Sequence, residues 1–246
     1  MSRTAESAWD REYERGRYRG EPPVPFVEDI LREVHTLDSF PLRGLYIGCG
    51  NGRNYAPLVA GGLDLVGLDI SGTAIAQLAD RMPERRDRLV HGGLDALPSE
   101  RTFGVVVGIQ VFQHGTRTQA HATLVDAMRR VAVGGLLCLR VNAVGTDVWP
   151  EHEVIERSAD GSFTVRYLAG PKAGLSIHFF SRLEIAHLLL GWKARLPLRL
   201  RVSPRTPPAP GQWSQWEGIW RRVPHSPPER RRVFVDPSRR EGLRDD

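Results

Sequence analysis

The stretch Leu45-Tyr46-Ile47-Gly48-Cys49-Gly50-Asn51-Gly52-Arg53-Asn54 decides how this chain is read. Its first residues belong to a short apolar run, 42–50, that ends in glycines and reads as a buried strand. A glycine-rich turn from strand into helix lets a ligand approach the backbone closely, because no Cβ intervenes. The spacing G-x-G-x-x-G would suit a dinucleotide pyrophosphate at the helix N-terminus. Here the third glycine comes one residue early, and Asn51 offers an amide where a polar but less anionic ligand fits. A tight turn with no ligand stays open on the glycines alone.

Downstream, strand and helix alternate. NYAPLVAGG reads as a short helix and GLDLVGLDI (62–70) as a second strand. Ser71 then caps a helix through GTAIAQLADRM. DRLVHGG (87–93) is a third strand and FGVVVGIQVF (103–112) a strongly β-branched fourth. TRTQAHATLVDAMRRVAV forms an amphipathic helix with Leu124, Val125, Met128 and Val131 on one face, and Gly134-Gly135 turns the chain into a fifth strand, LLCLRVNA. Upstream, PFVEDILREVHTL has Phe26, Val27, Ile30, Leu31 and Val34 at helical spacing. Apolar strands linked through helices by short loops specify a parallel sheet covered on both faces. Asp69 ends the second strand, 69 − 50 = 19 residues after Gly50. An acid at that place can accept both hydroxyls of an adenosine ribose above the sheet. Asp95, in Gly93-Leu94-Asp95-Ala96-Leu97-Pro98, follows the third strand, where its carboxylate or the backbone to Ala96 can reach an adenine edge.

LYIGCGNGRN, VGLDIS, GGLDALP and FGVVVGIQVFQH together resemble the successive motifs of class I S-adenosylmethionine-dependent methyltransferases. GCGNGRN and FFSRLEIAHLLLGW are most similar to the tellurite-resistance and thiopurine methyltransferase-like branches, and the likeness spans roughly residues 24–223. It implies an α/β, Rossmann-like three-layer sandwich with a seven-stranded, mostly parallel sheet whose last strand is antiparallel. WKARLPLRLRV (192–202) and QWSQWEGIWRRV (212–223) can supply the final two strands. It implies S-adenosylmethionine as cofactor, with Gly48, Gly50 and Gly52 along its methionine part and Cys49 and Asn51 in the same loop. Asp69 would hold the ribose, Ile70 pack on adenine, Asp95 and Ala96 meet its amino group, and Gln110 close the pocket. One residue departs from the pattern: the family usually has an acid two residues before the first glycine, where Tyr46 stands.

Methyl transfer from a sulfonium is an in-line displacement whose thioether leaving group needs no proton, so alignment can do most of the work. His114, just after the fourth strand, is the candidate general base; ordering of the following loop is the competing role. Residues 143–180 read as a substrate-side insertion, a hairpin of SFTVRYL and LSIHFF around Ala169-Gly170-Pro171. From it Trp149 and His178 are candidates to contact substrate, with Tyr167 and His152 behind them; Trp149 and Tyr167 serve equally well as a small core. Ser181 to Glu184 matches a capping box. Residues 1–24 form a candidate lid, with Tyr18 and Arg19 toward the cofactor, Tyr13 toward substrate, and Trp9 and Arg17 nearby; a disordered tail is the competing reading. No His/Asp/Glu cluster has metal-ligand spacing, so no metal is expected.

The 246 residues fit one methyltransferase domain, 1–223, followed by a basic Pro/Arg-rich tail, 224–246, read as mobile. No apolar run approaches the ~20 residues of a membrane span, and the start of the chain has no apolar signal core. With only Cys49 and Cys138 there is no disulfide framework, so a cytoplasmic protein is expected. The net charge is +5, but Lys occurs only at 172 and 193 and acids are interspersed with the 32 arginines, so no nucleic-acid surface is expected. The partner expected is a small-molecule acceptor at O, N or S, bound by a monomer or homodimer. A catalytically silent ligand- or partner-binding relative is the alternative, motivated by Tyr46; an NAD(P)-dependent oxidoreductase fits less well, because of the glycine spacing.

Overall fold

The apolar run around Leu45 forms a five-residue strand, β1 (Arg43–Ile47), buried at every position but Arg43. A strand buried on both faces needs parallel neighbours with helices outside them, and β1 has both. It pairs in parallel with β2 (Asp64–Asp69) on one side and β4 (Phe103–Ile109) on the other. The computed structural model describes residues 3–37, 43–149, 151–170, 172–205 and 210–224. Within them the sheet has seven strands in the order β3-β2-β1-β4-β5-β10-β9, adding β3 (Leu89–His91), β5 (Val131–Asn142), β9 (Lys193–Pro204) and β10 (Gln212–Arg221). The parallel strands run through β5; β10 inserts antiparallel between β5 and β9. The three-layer sandwich expected from the sequence is therefore present.

The period-2 alternation of β1 divides the core. Leu45 and Ile47 join the layer under α5 (Arg117–Arg129) and α6 (Arg182–Leu188). Tyr46 joins the opposite layer under α2 (Phe26–Val34), α3 (Tyr55–Ala60) and α4 (Gly72–Arg81). The expected caps form: Ser71 Oγ accepts from Ala74 N, and Ser181 and Glu184 make a reciprocal capping box. A further helix, α1 (Arg3–Glu14), packs on α4.

Several boundaries differ from expectation. The third strand shrinks because Pro83–Arg88, a proline followed by charged residues, folds as a 3-10 turn. Gly134 and Gly135 make no turn; they lie inside β5 as a bulge, where pairing jumps from Phe103↔Val131 to Val105↔Leu136. A Cβ at Gly135 would meet the Gly104 carbonyl at 2.7 Å. Val131 consequently belongs to β5, and the buried face of α5 is Ala120, Leu124, Ala127 and Met128.

The insertion is a three-stranded antiparallel sheet, β6 (His152–Arg157), β7 (Phe163–Tyr167) and β8 (Ser176–Phe179). The hairpin was expected, β6 was not. It is moored to the carboxyl edge of the main sheet, with Gly115 N donating to Ser176 O at 2.8 Å and His178 N to Gln113 O at 2.8 Å. The Pro-rich loop at 206–209, and all of the tail after residue 224, lie outside the described residues.

Candidate functional site

The glycine loop leaves β1 at the carboxyl edge and is pinned to β2: Gly48 N and Cys49 N both donate to Leu68 O, at 2.7 and 3.1 Å. Gly50 N then donates to Asp69 Oδ2 at 2.8 Å, while Ser71 N donates to Asp69 Oδ1 at 2.9 Å. One carboxylate thus ties the loop to the start of α4. Burial pushes the Asp69 carboxyl up, and the Ser71 and Gly50 N–H groups act against that. The loop and Asp69 form one wall of a cavity of about 560 Å³, within the roughly 300–1,000 Å³ typical of small-molecule sites.

Of the residues singled out from the sequence, Gly48, Cys49, Gly50, Asn51, Asp69, Ile70, Asp95 and Gln110 are brought together in the lining of this cavity. Gln110 holds a left-handed φ of 59° at the end of β4, with its N–H on Arg140 O at 2.7 Å. A side chain in that conformation costs about 1–3 kcal/mol and persists where the surroundings fix it. Tyr46 also reaches the cavity; burial pushes its phenol up, and Asn54 faces the hydroxyl.

Gly52 and Ala96, expected at the cofactor, stand outside this lining. Gly52, at φ 93°, turns its α-carbon toward Leu78 of α4, which a Cβ would meet at 2.4 Å, so it is a packing glycine outside the lining. Ala96 is exposed at the far end of a short 3-10 turn, and Leu94 takes its place on the wall.

The first helix closes one side. Trp9, Tyr13 and Tyr18 all face the cavity. Tyr13 stands against the glycine loop, its Oη at 2.5 Å from where a Cβ on Gly50 would be. Arg19 is exposed and outside the lining. The arginine at the cavity is Arg53, stacked over the Tyr18 ring at 5.3 Å and held by Pro22 O and Glu21. Arg53 was in view within GCGNGRN, but nothing local marked it as the inward arginine.

Next to Trp9 stands His114, its Nε2 donating to Gln110 O at 3.2 Å and its ring edge-on to Trp9 at 5.1 Å. Burial, with Lys172 adding to it, pushes the imidazole down to about 3. The ring is therefore neutral, with Nδ1 as its free lone pair. Gly174, Leu175 and Ser176 of the insertion complete this wall.

His178 and Trp149 lie elsewhere. His178 is fully buried between β8 and α6, Nδ1 paired with Thr164 Oγ1 and Nε2 with the Glu184 carboxylate. Trp149 packs with Val165, Tyr167, Ile177 and Phe179 in a small separate core, its ring edge-on to Trp213 and covered by Arg205. His152 bonds Trp149 O. The fold also gathers His121, His178 and Glu184, whose ligand atoms lie within 4.8 Å of one another. Arg117 Nε and Ser181 N add their hydrogen bonds to the same carboxylate. Burial would raise the Glu184 carboxyl, yet these donors hold it well below the usual range. The cluster works as a charge network joining α5, β8 and α6.

Residues 45–135 match the family model described as a methyltransferase domain. The chain is similar in fold to TehB from Haemophilus influenzae: TM-score 0.59, 15% identity, over 87% of this chain and 67% of that one. It is similar to a Burkholderia thailandensis 1,6-didemethyltoxoflavin-N1-methyltransferase with bound S-adenosylhomocysteine: TM-score 0.61, 15% identity, over 89% and 87% of the two chains. A third likeness is to the sugar N-methyltransferase KedS8 from a Streptoalloteichus species: TM-score 0.54, 18% identity, over 84% and 90%. No curated protein matches the chain by sequence. Sheet order, glycine loop and structural likenesses agree: this chain has the fold of the class I S-adenosylmethionine-dependent methyltransferases, and its residues 45–135 match a methyltransferase domain.

Proposed function

We propose that this chain transfers a methyl group from S-adenosylmethionine to a small organic acceptor at O, N or S. The observation that carries the reading is the single wall formed by the glycine loop and Asp69, joined by the Gly50–Asp69 hydrogen bond. A second supports it. Asn51 donates through Nδ2 to Arg17 O at 3.0 Å, while its Oδ1 is buried at the cavity without a partner. A buried acceptor left unpaired costs about 1–3 kcal/mol, and an ammonium would satisfy it. In this reading that amide supports an acceptor for the donor's methionine ammonium where Tyr46 offers no acid.

Asp69 keeps free lone pairs for the ribose hydroxyls, Ile70 gives adenine an apolar face, and Asp95 stands at its amino edge. Bound there, S-adenosylmethionine supplies an electrophilic methyl on a sulfonium. The chain's own part is alignment and exclusion of water: α1 and the Tyr18–Arg53 stack stand beside the loop, which supports reading this N-terminal segment as a lid. Holding reacting atoms in line accounts for up to ~7–11 kcal/mol of barrier lowering. Among the described residues no helix is long and apolar enough to cross a membrane, and we propose a small-molecule acceptor without a nucleic-acid partner.

Turnover of labelled methyl donor against a panel of phenols, thiols and amines tests the reading. Methylation of any member supports it; donor binding with no turnover across the panel favours the silent alternative.

A further inference from the structure

Lys172 sits on the turn between β7 and β8, two residues before the cavity wall at Gly174, Leu175 and Ser176. Its Nζ lies 5.6 Å from the centroid of the Trp9 ring, the ring that meets His114 edge-on. Among the described residues it has no ion pair. The charged and titratable groups facing it are Glu12 of α1, Arg17 just after α1, and His114 after β4. Glu12 is already engaged by Arg15 at 3.7 Å and Arg17 at 3.2 Å. Lys172 and Arg17 lie outside the lining, so surplus positive charge stands behind the Trp9 ring, which lines the cavity beside a neutral imidazole.

That arrangement opposes protonation of His114 and favours a negative charge near Trp9. Burial and Arg17 push the Lys172 ammonium down to about 8, so its charge, too, is under-compensated. A base that resists a proton beside an unpaired cation suits an acceptor that loses its proton before methyl transfer. Resting on the methyltransferase reading, we propose that Lys172 is a specificity-determining residue that makes the acceptor a small planar acid, a phenol or enol, bound as its anion against Trp9 and His114. The acceptor's proton goes to solvent on binding. One oxygen electron pair then forms the O–CH3 bond while the C–S bond breaks and its pair stays on sulfur, so no proton moves in the transfer itself. His114 positions the oxyanion's neighbourhood and is not charged.

The test uses full-length protein loaded with S-adenosylhomocysteine, with 4-nitrophenol and its isostere 4-nitroaniline as probes. Calorimetry gives both affinities; absorbance of the nitrophenolate gives the ionisation of the bound phenol. The phenol should bind at least tenfold more tightly, and its ionisation should move to lower pH by roughly one unit on binding. In Lys172→Met, which keeps an apolar stem over Trp9, the preference should fall below threefold and the ionisation shift should vanish. Lys172→Arg should restore both. Equal binding of the two probes, an unshifted ionisation, an unchanged Lys172→Met, or no binding of 4-nitrophenol to the loaded protein overturns the proposal. Failure of the loading step itself overturns the reading beneath it and is seen before either probe is added.

Discussion

Replacing Gly50 and Gly52 separately by alanine distinguishes a glycine that faces a ligand from one that faces the core. Both have left-handed backbones, φ 56° and 93°, where a Cβ costs roughly 1–2 kcal/mol. At Gly50 the new methyl would lie 2.5 Å from Tyr13 Oη, so the ring must retreat by about 0.9 Å to reach the 3.4 Å of ordinary contact. The retreat moves a lid residue and puts a methyl at the cavity. Gly50→Ala should lower Tm by only roughly 2–8 °C yet weaken S-adenosylhomocysteine binding at least tenfold, about 1.4 kcal/mol. At Gly52 the methyl meets Leu78 Cδ1 at 2.4 Å. Overpacking adds to the backbone strain, for roughly 2–5 kcal/mol and a Tm fall of roughly 4–20 °C. Affinity of the folded Gly52→Ala protein should stay within threefold of the parent. Thermal melts paired with calorimetry below each Tm make the comparison. Parent-like binding by Gly50→Ala, or an equal loss of affinity in Gly52→Ala, refutes the assignment.

Removing residues 1–20 strips Trp9, Tyr13 and Tyr18 from the cavity; cofactor affinity should fall at least tenfold, and an unchanged dissociation constant removes the lid. Glu184 gives the acid-pH prediction. Its folded carboxyl is held below the unfolded value, so its stabilisation is complete above the ordinary glutamate range of about 4.3 and is lost as pH falls through the folded value. Melts should therefore drop as pH falls below about 4.5. Glu184→Gln, leaving buried donors short of an anion, should cost about 3 kcal/mol at neutral pH and flatten that acid decline. An equally steep decline in the variant assigns the acid sensitivity elsewhere.

How much of this was legible before the coordinates depends on the range of the cause. The glycine loop, Asp69 and the Ser71 and Ser181 caps are set within a few residues, and each lies where local spacing placed it. Five strands alternating with helices were legible from the local pattern and two final strands from the family resemblance, but the strand order comes from the fold itself. What failed depended on partners far along the chain. His178 looked available on LSIHFF, but β8 is moored to Gln113 and Gly115, and that turns its imidazole onto Glu184 of α6. Trp149 found Arg205 and Trp213, fifty-six and sixty-four residues on. Arg19 and Arg53 differ in no local signal; α1 and the Pro22 carbonyl decide which one reaches the cavity. The strand β6 was invisible because HEVIER is largely exposed and carries little apolar alternation. Lys172 was one of only two lysines, yet the folded turn alone shows it beside Trp9.

Titration of the full chain with S-adenosylhomocysteine in a calorimeter, alongside NAD(P)H and with Asp69→Ala as the control variant, is the most direct test. The account requires one-to-one binding of the sulfur nucleoside by the parent, none of the nicotinamide, and loss of binding when the carboxylate bridging loop and helix is removed. No heat with the sulfur nucleoside, or undiminished affinity in Asp69→Ala, contradicts it.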